Sequence, residues 1–215
     1  MTGRGSNRRR LGFYQRRIFP WLNDKLGGSP ELMRVRAEAL PAAHGRVIEI
    51  GFGSGPNLAL YPGTVQSVVA VEPNDGMVDR ALPTIRGSRI PVQIVVGEAE
   101  RLPLPDGEFD TAVSTLTLCS VSDPSAAVVE LHRVLHQDGL LIILEHGLSE
   151  DRDVARWQHR LDPLQSIVAC GCHLDRPMTE LVEDHGFRFE TLRTFYAPKI
   201  PRTHGWLTVG TAVKR

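Results

Sequence analysis

Apolar positions along the chain fall into two alternating rhythms. Short runs in which most residues are apolar recur at 46–50, 67–72, 92–96, 109–115 and 139–145, and again at 187–194 and 206–213. Runs of that length are strand-sized, and near-continuous apolarity means burial on both faces. Between the first five lie helical periodicities or long connections. The clearest helix is predicted over 124–137, where Val128, Val129, Leu131, Val134 and Leu135 share one side and Gly139 lies beyond the end. A second is predicted over 74–82. Ser29-Pro30 reads as the cap and first residue of a third, running through about Ala43. Strands alternating with helices predict an α/β fold with a doubly wound, mostly parallel sheet. The link from Thr194 to Trp206 carries Pro198 and Pro201 and no helical pattern, so the last two strands are expected to pair antiparallel.

Length and composition narrow the class without naming a chemistry. The 215 residues suit one domain, and 41% hydrophobic with 23% charged excludes disorder and repetitive fibres. The 25 basic and 25 acidic residues cancel, so global charge draws in neither nucleic acid nor membrane. No apolar run approaches the ~20 residues that span a bilayer. Cys119, Cys170 and Cys172 are too few for a disulfide scaffold and fit a reducing cytoplasm. Charge is nevertheless uneven: Arg4, Arg8, Arg9, Arg10, Arg16 and Arg17 precede the first acid, Asp24. Residues 1–28 therefore read as a basic arm able to make peripheral contact with anionic lipid or an acidic substrate. Residues 29–215 read as a single domain.

Chemistry enters at residues 47–57, Val-Ile-Glu-Ile-Gly-Phe-Gly-Ser-Gly-Pro-Asn, where a buried strand runs into a glycine-rich turn. In doubly wound sheets ligands sit outside the carboxyl ends of the strands, and glycines there let backbone approach them. The second strand ends at Glu72, 21 residues after Gly51, the interval at which an acid reaches a pair of ribose hydroxyls. A dinucleotide site needs a further glycine where Pro56 stands, and proline removes an N–H from the turn that should meet phosphate. Glu49, two residues before Gly51, would repel a pyrophosphate but suits a cofactor carrying an ammonium and a sulfonium. That sign argument favours S-adenosylmethionine over NAD. After the third strand comes Gly97-Glu98-Ala99-Glu100-Arg101-Leu102-Pro103, where an acid can accept from an adenine amino group.

With these stretches in register, the chain resembles the class I S-adenosylmethionine-dependent methyltransferases from about Arg46 to the C-terminus. The likeness is carried by residues 49–55, Val71-Glu72-Pro73-Asn74, 97–103, 109–120, and Glu130-Leu131-His132-Arg133-Val134-Leu135 before Asp138-Gly139. It implies a Rossmann-like, doubly wound seven-stranded sheet with an antiparallel C-terminal strand. S-adenosyl-L-methionine would be the cofactor and S-adenosyl-L-homocysteine its product. Within that superfamily Gly55-Pro56-Asn57, Tyr61-Pro62, 116–121, Leu144-Glu145-His146, Trp157-Gln158, 171–176 and Pro198-Lys199 are similar to the small-molecule thiol S-methyltransferases. The implied acceptor is a small molecule, with thiol sulfur favoured over a phenolic oxygen or quinone-like carbon; a non-catalytic cofactor-binding protein is a third reading. Mammalian thiol enzymes resemble this chain after an apolar membrane helix, whereas an arginine-rich arm stands here, so membrane residence is not implied.

Carried over position by position, Gly51, Gly53 and Asn57 would border methionine and ribose, with Glu49 beside them. Glu72 would hold the ribose hydroxyls, and Pro73, Asn74 and Met77 would flank adenine. Glu98 and Ala99 would read the adenine edge, while Thr115, Leu116 and Thr117 would close over ribose and methionine. Tyr14 falls on the helix that lids the pocket in many relatives. Nucleic acid is not an expected substrate, because Leu116-Thr117-Leu118-Cys119 stands where base methyltransferases carry Asn/Asp-Pro-Pro-Tyr/Phe.

Methyl transfer is an in-line displacement in which the cofactor supplies the electrophile and the protein aligns the nucleophile. A thiol of pKa ~8.5 needs modest help to ionise. His146, just after the fifth strand, is the candidate base; the alternative is a histidine that caps the strand or bonds Glu145. His173 falls in the segment expected to wall the substrate. No metal is expected: His132 and His136, four apart on the predicted helix, lack a third ligand, and Cys170-Gly171-Cys172 lacks the usual two-residue gap. Cys119 occupies a position that could face the methionine end of the cofactor, but these cysteines read as packing residues. Trp157, Leu161, Leu164 and Ile167 recur at helical spacing and read as core, or as the roof of an apolar pocket.

Overall fold

The computed structural model describes residues 28–169 and 171–215. The basic arm, the lid helix with Tyr14, and Cys170 lie outside the described residues. Helix α1 (Pro30–Ala39) begins as its sequence dictates: the Ser29 hydroxyl accepts from the Leu32 N–H and Pro30 takes the first turn. It stops short of the expected end. Pro41 has no N–H to continue the α ladder, and a 3-10 turn, Leu40–Ala42, carries the chain into β1 (Gly45–Ile50).

β2 (Val65–Val71), helix α2 (Asp75–Gly87), β3 (Val92–Val95) and β4 (Phe109–Thr115) follow. Helix α3 (Pro124–Val134) ends three residues before the sequence pattern does. Leu135 is already extended and pairs with Phe109, so β5 spans Leu135–His146. His136 is therefore in a strand and does not share a helix face with His132, whose ring packs edge-on against Phe187. Helix α4 (Arg152–Val168), the short helix α5 (Met178–Glu183), β6 (Phe187–Tyr196), α6 (Arg202–Gly205) and β7 (Trp206–Lys214) complete the order.

The seven strands form one sheet in the order β3-β2-β1-β4-β5-β7-β6. β3, β2, β1, β4 and β5 are parallel, while β7 inserts antiparallel between β5 and β6, as the proline-bearing link predicts. Chain order reverses between β1 and β4, so a crevice opens at their carboxyl ends. Alternation along the strands feeds two cores. Ile48, Ile50, Ala112 and Ile143 pack with Val128 and Leu131 of α3 on one face; Val47, Val68, Val113 and Leu144 pack with Leu32 and Val35 of α1 on the other. Burial on both faces explains why these strands read as continuous apolar runs.

Helix α4 corrects one expectation. Trp157, Leu164 and Ile167 are 55, 65 and 75% exposed, so this stripe is not core. Its inward side carries Val154, Gln158 and Asp162. Gln158 accepts from the Ser149 N–H and donates to the carbonyls of Gly147 and Thr203, and Asp162 accepts from the Leu174 N–H. Those loops need polar partners once buried, and that requirement fixes the helix's rotation.

Candidate active site

A cavity of about 350 Å³ lies at the crevice. Gly51 follows β1 at φ +63°, and a Cβ there would meet Thr117 Oγ1 at 2.1 Å. The two central loops thus pack against each other only through a glycine. Gly53, at φ +60°, has nothing closer than Met77 Cε at 3.2 Å, so its backbone opens onto the cavity. Glu72, directly after β2, is buried and held by two backbone donors: Gly53 N–H to Oε2 at 2.9 Å and Asn74 N–H to Oε1 at 3.0 Å. Burial raises its pKa, and the two N–H donors counter that rise. Each oxygen retains acceptor capacity, and the residue lines the cavity. Asn74 also caps α2, its side chain accepting from the Gly76 N–H.

Of the residues singled out for the cofactor, Gly51, Gly53, Glu72, Pro73, Asn74, Met77, Glu98, Ala99, Leu116 and Thr117 line this cavity, joined by Ser120, Val121 and Ser122. Glu49, Asn57 and Thr115 do not; they meet one another behind it. Asn57 Nδ2 donates to Glu49 Oε1 at 2.8 Å and to Thr115 Oγ1 at 3.0 Å, and Tyr61 donates to Glu49 Oε2 at 2.6 Å. Arg36 of α1 completes the cluster, donating to Asn57 Oδ1 and Thr115 Oγ1 at 2.8 and 2.6 Å. Burial pushes the Glu49 carboxyl up to about 7, against the opposing pull of Tyr61, Arg36 and Asn57. Arg36 escapes sequence reading because nothing in α1 marks it as an inward-facing cation.

The floor between cavity and sheet is fixed by Glu145, also unmarked in the sequence except as a neighbour of His146. Its fully buried carboxylate accepts from Ser114 Oγ and from the N–H groups of Thr117, Leu118 and Cys119, at 2.7 to 3.1 Å. This anchor holds Leu116 at φ +56°, a conformation that non-glycine residues adopt rarely and chiefly at functional turns. His146 is half-buried and does not line the cavity; its Nδ1 lies 3.8 Å from Cys119 Sγ and 3.7 Å from Cys172 Sγ. Burial alone would lower the His146 pKa, but Cys119 and the Glu145 carboxylate outweigh it and the net shift is upward. His173 pairs with Asp162 at 2.7 Å, on the α4 side.

A sheet reversing at β1 and β4, a glycine loop, and a buried acid ending β2 define a Rossmann-like enzyme that binds an adenosyl group. A general methyltransferase-domain family matches residues 48–143. The thiol S-methyltransferase TMT1B of Rattus norvegicus is 29% identical over 201 residues, covering 91% of this chain and 74% of the relative. The human thiol S-methyltransferase TMT1A is 30% identical over 162 residues, covering 74% and 66%. Among solved structures, the YcgJ protein of Bacillus subtilis superposes with a TM-score of 0.66 at 19% identity, covering 86% of this chain and 98% of the other. Residues 48–143 thus carry a methyltransferase domain, and the chain is an S-adenosylmethionine-dependent methyltransferase.

The cavity fits the cofactor that this family uses. Glu72 would offer a cis-diol a buried carboxylate with spare acceptor capacity, and Gly53 leaves open the space a Cβ would fill. When bound, S-adenosylmethionine supplies an electrophilic methyl on sulfonium sulfur. No helix among the described residues is long and apolar enough to cross a membrane.

Proposed function

We propose that the chain methylates the sulfur of a small-molecule thiol, working in the cytoplasm. One observation carries the reading: the likeness to a thiol S-methyltransferase does not stop at the methyltransferase-domain match ending at 143. It takes in 201 residues, 91% of the chain, and so also covers most of the segment after β5.

In this reading Glu72 holds the ribose hydroxyls, and Gly51 and Gly53 give the backbone clearance. Pro73, Asn74, Met77, Glu98 and Ala99 surround adenine, and Leu116 and Thr117 cover the reacting end. Glu49, Asn57 and Thr115 act from behind, balancing Arg36 and stiffening the loop. His146 assists ionisation of the acceptor. Residues 1–28 form a separate basic arm that brings Tyr14 to the cofactor, and 29–215 a single catalytic domain. Because the electrophile arrives preformed, the protein's share of the work is alignment and exclusion of water.

The test is an acceptor panel with methyl-labelled cofactor: small thiols, phenols and quinone-like carbon acids. Thioether products are expected. Turnover confined to oxygen or carbon acceptors would overturn the sulfur assignment, and no turnover with any acceptor would favour a protein that only binds the cofactor.

A further inference from the structure

Beside the cleft, three soft or borderline ligands converge from two loops and the end of β5. Cys119 Sγ and Cys172 Sγ are 3.8 Å apart, and His146 Nδ1 lies 3.8 and 3.7 Å from them. A disulfide would bring the sulfurs to about 2.05 Å, so these are thiols in contact. A tetrahedral zinc ion bound at ~2.3 Å to sulfur and ~2.05 Å to nitrogen dictates edges of about 3.8 Å between two sulfurs and about 3.6 Å between sulfur and nitrogen. All three observed edges match within ~0.2 Å of that expectation. Weak S–H hydrogen bonds give no reason for all three edges to be equal.

The surroundings hold the ligands in place. Glu145 accepts from the Cys119 N–H, and the Cys119 carbonyl accepts from the His173 N–H at 2.8 Å, tying the two cysteine loops together. Gly171, at φ +103°, lets the second loop pass the Ser120 carbonyl, where a Cβ would come within 2.8 Å. Arg176 donates to the Leu118 and Val121 carbonyls across the same junction. Among the described residues no fourth histidine, cysteine or carboxylate joins the three. Two cysteines and a histidine with an open fourth position is the ligand set of catalytic rather than structural zinc. Ser120, whose Oγ is 3.5 Å from Cys119 Sγ, lines the cofactor cavity, so the cluster adjoins the cleft.

We propose that Cys119, His146 and Cys172 bind a zinc ion whose fourth position takes the thiolate of the methyl acceptor. The metal site stands on its own geometry; its role toward the acceptor rests on the thiol reading above. Metal binding releases the two cysteine protons to solvent, and the acceptor thiol gives its proton to solvent water as its sulfur enters the fourth position. A lone pair of that sulfur forms the new S–C bond while the methyl–sulfonium bond breaks, leaving S-adenosylhomocysteine and a neutral thioether. The thioether is the weaker ligand and departs, and zinc keeps its oxidation state. His146 then assists ionisation of the acceptor through the metal it holds rather than as a free base.

The experiment uses the full chain, reduced with a phosphine, stripped by chelator and titrated with Zn²⁺ or Co²⁺. One equivalent of zinc is expected. Cobalt should give thiolate-to-metal charge-transfer absorption and intense tetrahedral bands that shift when a small thiol is added. Cys172→Ser should weaken zinc binding at least ~100-fold while S-adenosylhomocysteine affinity, which reports folding, stays within twofold. Should that variant fail to fold, the wild-type cobalt spectrum still decides whether sulfur ligates the metal. Sub-stoichiometric binding, a spectrum without sulfur charge transfer, or full affinity in a folded Cys172→Ser protein would overturn the site. Thiol turnover by metal-free enzyme would remove the zinc and leave the thiol reading intact; a sulfur-ligated metal without thiol turnover would do the reverse.

Discussion

The cofactor cleft and the side-chain cluster adjoining it are built from different materials. Around Gly51, Gly53 and Glu72 the backbone does the holding: a positive-φ turn opens the space, and main-chain N–H groups aim the Glu72 carboxylate. Around Cys119, Glu145, His146 and Cys172 side chains do it, with a single buried carboxylate gathering a hydroxyl and three N–H groups. A backbone-built site suits a ligand that never changes. A site built from side chains can be altered one residue at a time, which suits an acceptor that differs among relatives. The difference teaches where to look for specificity.

The largest loss separating the two regions is expected from Glu145→Ala. It strands four buried or part-buried donors at once, and at ~1–3 kcal/mol for each unsatisfied group the fold should lose about 4 kcal/mol or more. Denaturant unfolding measures this; a loss below ~1 kcal/mol would mean that the loop finds other partners.

Next in size is a pH effect. The Glu49 carboxyl is raised from 4.5 to about 7 in the folded chain. Its contribution to stability is therefore fully present below about pH 4.5 and is lost as pH rises through about 7, on the order of 3 kcal/mol in all. Glu49→Gln should flatten that slope, and unfolding curves between pH 4.5 and 8 would reveal it. An unchanged slope would place the titration elsewhere.

Gly51→Ala comes third, at about 2 kcal/mol, because it combines a left-handed φ with a collision against Thr117. Calorimetry should also find cofactor affinity reduced, whereas Ser at this position regaining wild-type affinity would contradict the steric account. The smallest effect belongs to α4: Ile167→Ser, on the exposed stripe, should change stability by no more than ~0.5 kcal/mol. A larger loss in a melting experiment would show that the stripe is covered.

The same contrast explains what could be read in advance. β4 begins and ends where its apolar run does, and the cofactor side is assembled from short segments that each follow a strand, so a glycine turn and acids just past successive strands are legible from local pattern. The cysteine–histidine cluster joins residues 26 to 53 positions apart, so spacing rules applied to Cys170-Gly171-Cys172 or to His132 and His136 have no purchase on it. Arg36 was invisible for the same reason: only packing turns a helix arginine toward Glu49. On α4 the apolar period misled because Gln158 and Asp162, not Trp157 and Ile167, had loop backbone to satisfy.

The backbone-built cleft rests on Glu72, the acid that both backbone donors serve. Calorimetric titration of S-adenosylhomocysteine into Glu72→Ala tests it most directly. Loss of affinity by ~100-fold or more, with the melting transition retained, is the expected result. Wild-type affinity in that folded variant would contradict it.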